Sequence, residues 1–148
     1  MPLWIIYYHI VWTTKDRLPL ISPDLERPLI DYVTGKAVAL ETILHAINGT
    51  EDHLHLVLSI PPKLSVAHVV GHLKGASSHW ANERTDHKPE FAWQRGYGVF
   101  SFGPRQLQDA VSYVHRQKEH HRDGSTVVQW LEKVSDNDEG PRLHNGRS

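Results

Sequence analysis

The chain has 148 residues, 39% of them apolar, with 16 Lys and Arg against 17 Asp and Glu and no cysteine. That length suits one domain burying about two thirds of its unfolded surface, and the near-neutral balance excludes a global pull on polyanions, so any nucleic-acid surface must be local. Without cysteine there are no disulfides or thiolate ligands, and with no apolar run of the ~18 residues a membrane span needs and no basic-then-apolar leader, a cytoplasmic protein with no membrane partner is expected.

Residues 4–13, Trp-Ile-Ile-Tyr-Tyr-His-Ile-Val-Trp-Thr, are dense in aromatic and β-branched side chains and read as a strand apolar on both faces, central in a sheet. Ser22-Pro23-Asp24-Leu25-Glu26 is a helix start, with serine as cap, proline at the first helical position and acids in the first turn. This helix is expected to run to about residue 36 or beyond, with Leu25, Leu29, Ile30 and Val33 inward. Residues 42–60 then give two β-type runs around Asn48-Gly49, a hairpin signal. The second run opens with His53-Leu54-His55. Alternation puts both imidazoles on one face and Leu54, Leu56 and Leu58 on the other. Two histidines on a rigid strand suit a divalent metal; two solvated histidines on a half-exposed strand would give the same spacing.

Pro61-Pro62 ends that strand, and Ser65 caps a second helix whose inward stripe is Val66, Val69, Val70, Leu73, Ala76 and Trp80. His68 and His72, four apart on another face, could hold a metal themselves, but no acid completes the pair. After a polar connection, residues 93–102 give a fourth strand with glycine-permitted bends, and Gly103-Pro104 introduces a third helix over roughly 105–121. On that helix Leu107, Ala110, Val111 and Val114 form an apolar stripe, with Gln106, Asp109, Tyr113, Gln117 and His120 as a polar stripe beside it. Tyr113 and Gln117 are therefore one turn apart and face the same way. Residues 1–122 read as one domain and 123–148 as an extension, a short helix followed by a polar tail expected to be mobile.

The order β-α-β-β-α-β followed by one more helix is the ferredoxin-like pattern: an α+β fold, an antiparallel sheet with its first and third strands central, and an additional C-terminal helix carrying the tyrosine. His53 and His55 would then lie beside the strand that contains His9. A phenol can act as a covalent nucleophile and a carboxamide oxygen as a third metal ligand, and a metal with open positions can polarise a phosphoryl oxygen.

The segments Tyr8-His-Ile-Val-Trp-Thr-Thr-Lys15, Asp52-His-Leu-His-Leu-Val-Leu-Ser59, Leu73-Lys-Gly-Ala-Ser-Ser78, Trp93-Gln-Arg-Gly-Tyr97 and Tyr113-Val-His-Arg-Gln-Lys-Glu-His-His121 together resemble the single-tyrosine HUH transposases of small bacterial insertion sequences. The resemblance covers roughly residues 4–122 and rests on the combination, since His-x-His alone is not specific. It implies His53, His55 and Gln117 as ligands of a divalent metal, Mg²⁺ or Mn²⁺, and Tyr113 as the nucleophile. Relatives often have Asn where this chain has Arg116, which leaves the ligand set intact but changes local helix contacts.

The activity implied is metal-assisted transesterification of single-stranded DNA at hairpin-marked element ends, through a 5′-phosphotyrosine link and without a nucleotide cofactor. A homodimer is the implied assembly, and the strongly apolar first and fourth strands, poor in lysine and proline, give it a physical reason as unprotected sheet edges. Lys15, Arg17, Lys74 and Arg95 are candidate phosphate contacts, and Trp93 and Tyr97 candidate stacking platforms for unpaired bases. Three other readings remain open: a domesticated relative that processes dispersed chromosomal hairpins, a non-catalytic nucleic-acid-binding module on the same fold, and a metal-dependent hydrolase using His68 and His72.

Overall fold

The computed structural model describes residues 3–84 and 90–117. The β-branched and aromatic run at the start forms strand β1 (Tyr7–Thr13), buried at His9, Ile10, Val11 and Trp12 in succession, as a strand covered on both faces must be. Helix α1 (Pro23–Ala39) begins where the Ser22 hydroxyl accepts from the Leu25 N–H at 3.3 Å, and it buries Leu25, Leu29, Val33 and Ala37. Strands β2 (Ile43–Gly49) and β3 (His53–Ser59) follow, and β3 is buried at every position. Helix α2 (Val66–Arg84) opens with the His68 N–H donating to the Ser65 hydroxyl at 3.0 Å. Strand β4 (Gly98–Phe102) and helix α3 (Leu107–His115) complete the described elements.

The sheet order is β2-β3-β1-β4, antiparallel throughout. This is the expected βαββαβ arrangement, with the first and third strands at the centre and one more helix after it. Ile10, Trp12, Leu54, Leu56 and Leu58 meet α1 and α2 in the main core. Each fully buried leucine is worth about 1.5–3 kcal/mol of transfer free energy. On the opposite face Ala46, Val57 and Val114 form a smaller core with half-buried Leu107, Ala110 and Val111 of α3. The β1–β3 register sets Val11 opposite His55 and Thr13 opposite His53. Both histidines therefore lie on the α3 face, while the leucines between them build the main core.

Four expectations change. Asn48 and Gly49 end β2 rather than form the turn, which falls at residues 50–52. Asn48 pairs across to His55 and its amide donates to the His115 carbonyl at 3.1 Å, so it spans to α3 instead of turning the chain. The fourth strand starts at Gly98, not at Trp93. Residues 93–97 are bent by a positive φ of 85° at Gly96, and their carbonyls at Gln94 and Gly96 accept from the Lys74 ammonium instead of from a strand. The third helix is entered through a 3₁₀ turn (Pro104–Gln106) and runs over Leu107–His115, with Arg116 as its cap, while residues 118–121 of the expected span lie outside the described residues. Finally, β1 is central, so the edge strands among the described residues are β2 and β4. The short helix and tail expected within 123–148 lie outside the described residues.

At Gly49 the approach is close: an added Cβ would stand 2.5 Å from Leu54 Cδ2 and 2.8 Å from the His53 carbonyl oxygen. Backbone cannot yield as a flexible side chain can. We expect Gly49→Ala to destabilise the fold by roughly 1–3 kcal/mol, the usual cost of overpacking, read as a lowered urea midpoint. An unchanged midpoint would mean that the β2–β3 hairpin relaxes freely.

Candidate active site

The sequence places four polar groups on the α3 face of a hydrophobic sheet, and each is buried. His53, His55 and Gln117 are fully buried and His9 is 8% exposed, so these are not solvated surface histidines. The two β3 rings sit 4.9 Å apart, nearly perpendicular at 77°. His53 is held at Nδ1, which donates to Asp52 Oδ1 at 2.6 Å, with the Thr50 hydroxyl 2.9 Å from the same nitrogen. Asp52 in turn meets Arg17 Nη2 at 3.4 Å. His55 is held at Nδ1 by His9 Nε2, 2.9 Å away.

Each imidazole of the pair is thus fastened through Nδ1, the arrangement by which metal-ligating histidines are oriented with Nε2 forward. The Gln117 amide nitrogen lies 3.3 Å from His53 Nε2. Among the described residues, His55 Nε2 and Gln117 Oε1 are buried without a hydrogen-bond partner. Buried polar atoms without partners are uncommon and costly, and two lone-pair donors left open beside His53 Nε2 fit a divalent cation. No three His, Cys, Asp or Glu gather as ligands among the described residues. The carboxamide that stands beside His53 is that of Gln117.

Tyr113 joins the same cluster. Its ring meets His9 edge-on at 5.7 Å and His55 at 6.2 Å. Asn48 anchors the end of α3 through the His115 carbonyl, and Val114 packs with Val57 beneath. The helix end that carries Tyr113 and leads to Gln117 is fixed on β2 and on β3, the strand that carries His53 and His55. The spacing between Tyr113 and Gln117 was legible in the sequence. The strand of His9 was expected beside the pair, and β1 does lie there, but the His9–His55 bond and the supports Asp52 and Thr50 are seen only in the structure.

The expected DNA contacts divide into two groups. Lys15, Arg17 and Arg95 are exposed, on two segments stitched together by Lys15 N–H to the Ala92 carbonyl at 3.0 Å, Gln94 N–H to the Thr13 carbonyl at 2.9 Å, and Asp16 N–H to Gln94 Oε1 at 2.8 Å. Lys74 instead donates to the Gln94 and Gly96 carbonyls at 2.7 and 2.8 Å. Trp93 donates its indole N–H to the Ser77 hydroxyl and packs edge-on against Trp12 and Phe91, and Tyr97 is half-buried against the main core. His68 and His72 are exposed on α2.

Burial lowers His9 to about 4 and pushes His55 well below the ordinary histidine value, with the charges of His53 and His9 adding to the effect at His55. For Asp52 burial alone would raise the carboxyl, but the hydrogen bond and charge of His53, then Arg17 and Thr50, hold it below its usual range. All three folded values lie below the unfolded ones, so the unfolded chain takes up protons first as pH falls. The metal-free protein should keep its full stability above about pH 6.5 and lose it on acidification, at up to about 1.4 kcal/mol per pH unit for each buried histidine. Urea midpoints measured from pH 7.5 down to 4.5 check this; a flat profile would contradict neutral burial of His9 and His55.

Residues 2–117 match the family model described as "Transposase IS200 like". The transposase for insertion sequence element IS200 of Salmonella typhimurium is 28% identical over 117 residues, covering 74% of this chain and 77% of that protein, and the Salmonella typhi transposase matches equally. Among solved structures, a Deinococcus radiodurans protein assigned as a transposase superposes with a TM-score of 0.63 at 23% identity, over 78% of this chain and 93% of its own. A REP-associated tyrosine transposase bound to a REP hairpin gives 0.59 at 15% identity, over 94% and 92%. These two share the fold, and the family match runs across the whole sheet, the paired histidines and Tyr113 as far as Gln117: the chain belongs to the IS200-like transposase family.

Proposed function

We propose that this transposase cleaves and rejoins single-stranded DNA through a phosphotyrosine link to Tyr113, with a divalent metal, Mg²⁺ or Mn²⁺, held by His53, His55 and Gln117. The observation that carries the reading is the convergence of these four side chains, with His55 Nε2 and Gln117 Oε1 buried and open. When bound, the cation supplies Lewis-acid polarisation of a phosphoryl oxygen. The Tyr113 hydroxyl oxygen forms a bond to phosphorus while the bond to the 3′ oxygen breaks, and the phenolic proton leaves for the released 3′-OH. One phosphodiester replaces another, so a second DNA end can reverse the step and no nucleotide cofactor is required. His9 and Asp52 hold the imidazoles at Nδ1, and the α3 packing holds Tyr113 beside them. Lys15, Arg17 and Arg95 offer phosphate contacts on the stitched loops. Lys74, Trp93 and Tyr97 support those loops from beneath. The hairpin bound to the REP-associated neighbour supports hairpin-marked DNA as the substrate.

Tyr113→Phe removes one hydroxyl and should leave the fold and hairpin binding in place while abolishing the covalent protein–DNA band on denaturing gels. His53→Ala and EDTA should each abolish cleavage of labelled single-stranded DNA and spare most of the affinity, because phosphate contacts elsewhere dominate binding. A persistent covalent band in the Phe variant would sink the tyrosine assignment, and full activity in EDTA would sink the metal.

The active assembly proposed is a homodimer, since among the described residues β2 and β4 are edge strands without a further neighbour and an unpaired strand edge invites a second copy. Tyr113 here meets His9 and His55 of its own chain, which favours sites built within one subunit. Mixing Tyr113→Phe subunits with His53→Ala subunits should then leave the hybrid dimers inactive. Recovered cleavage would place the tyrosine in the partner's site, and a monomer by sedimentation at micromolar concentration, with and without hairpin DNA, would refute the dimer.

A further inference from the structure

We propose that His9 is a positioning residue that fixes His55 as its Nδ1–H tautomer, leaving the His55 Nε2 lone pair open for a divalent cation. The inference rests on the metal-site reading above and concerns a residue outside its ligand set. The β1–β3 register pairs His9 with Val57 and Val11 with His55, making His9 and His55 diagonal neighbours on the α3 face, where long side chains reach one another. His9 Nε2 stands 2.9 Å from His55 Nδ1, with the rings 5.1 Å apart and tilted by 44°. The His9 ring is also held edge-on against Tyr113, at 5.7 Å.

Two neutral imidazoles joined in this way share a single proton on the line between them. Were it on His9 Nε2, His55 would carry its own proton on Nε2. That would leave a buried donor with no acceptor among the described residues and no lone pair for a metal. With the proton on His55 Nδ1, His9 Nε2 accepts and His55 Nε2 carries the lone pair, the form in which a histidine ligates. The partner histidine is secured differently. Asp52 holds His53 with a carboxylate, which as an ion can only accept, so its Nδ1–H tautomer follows from the partner's chemistry. His55 has no carboxylate, and a second imidazole does the same work only while it acts as the acceptor. His9 also bridges the ligand pair and the nucleophile, touching His55 by a hydrogen bond and Tyr113 by its ring edge.

Two measurements on the full chain test this. Long-range ¹H–¹⁵N correlation of the imidazoles in metal-free protein should show His55 protonated at Nδ1 and bare at Nε2, and the opposite tautomer would overturn the proposal without recourse to any variant. Mn²⁺ binding, followed by the electron paramagnetic resonance signal of the free ion, should weaken about 10- to 100-fold in His9→Phe, the range for loss of a support behind a ligand. In His9→Gln, whose amide oxygen can accept, it should stay within a few-fold of the parent. Parent-like binding in the Phe variant, or a Gln variant as weak as Phe, would overturn the role assigned to His9. Absence of Mn²⁺ binding in the parent, or undiminished binding in His53→Ala, would instead refute the metal site itself, with the tautomer still decided by the nitrogen spectra.

Discussion

The pairing of β3 between β1 and β2 is the constraint on which the rest depends. Every residue of β3 is buried, so its alternation serves two purposes at once. Leu54, Leu56 and Leu58 supply the main core with α1 and α2, and His53, His55 and Val57 form the floor beneath α3. A slip of one residue would drive two imidazoles into the apolar core and turn the leucines toward the site. Register is thus specified by hydrophobic burial on one face, and the geometry of the candidate metal ligands on the other face comes with it.

The helix over that floor is held by fewer apolar groups than the main core. Val114 packs with Ala46 and Val57, and Asn48 binds the His115 carbonyl. Polar contacts complete the attachment, notably Gln117 on His53. A helix secured in this way is positioned with respect to β2 and β3 more than to the distant helices. Tyr113 is consequently referenced to His9 and His55, the groups beside which its chemistry would take place.

Basic groups follow a similar division of labour. Lys74 is a cation spent inside the protein, where it gathers two carbonyls of the 94–97 bend. Backbone bonds between that bend and residues 13–16 then join Lys15, Arg17 and Arg95 to one region of surface. Asp16 and Arg17 both adopt a φ of 54°, a conformation that side chains disfavour. The Arg17 guanidinium returns to Asp52 behind His53, so this surface is continuous with the support of the site. A chain with almost no net charge can in this way present local positive charge to a polyanion.

The sequence by itself determined the element order, the central placement of the first and third strands, the helix caps at Ser22 and Ser65, and the sharing of a face by His53 and His55. The elements, caps and shared face follow from periodicities of 2 and 3.6 residues and from local capping chemistry, which depend only on near neighbours, and the strand placement follows from the ferredoxin-like pattern that their order matches. The joint facing of Tyr113 and Gln117 came from the same periodicity, although Gln117 lies beyond α3 (Leu107–His115). Tertiary structure decided the rest. Asn48-Gly49 carries a strong turn signal, yet cross-strand pairing with His55 and the bond to α3 keep it within a strand. Trp93 and Lys74 look like nucleic-acid contacts in isolation, but packing against Phe91 and binding of two carbonyls engage them internally. His9 lies 46 residues from His55 in sequence, and no local pattern could announce that the two would share a proton: only strand pairing brings them within hydrogen-bonding distance.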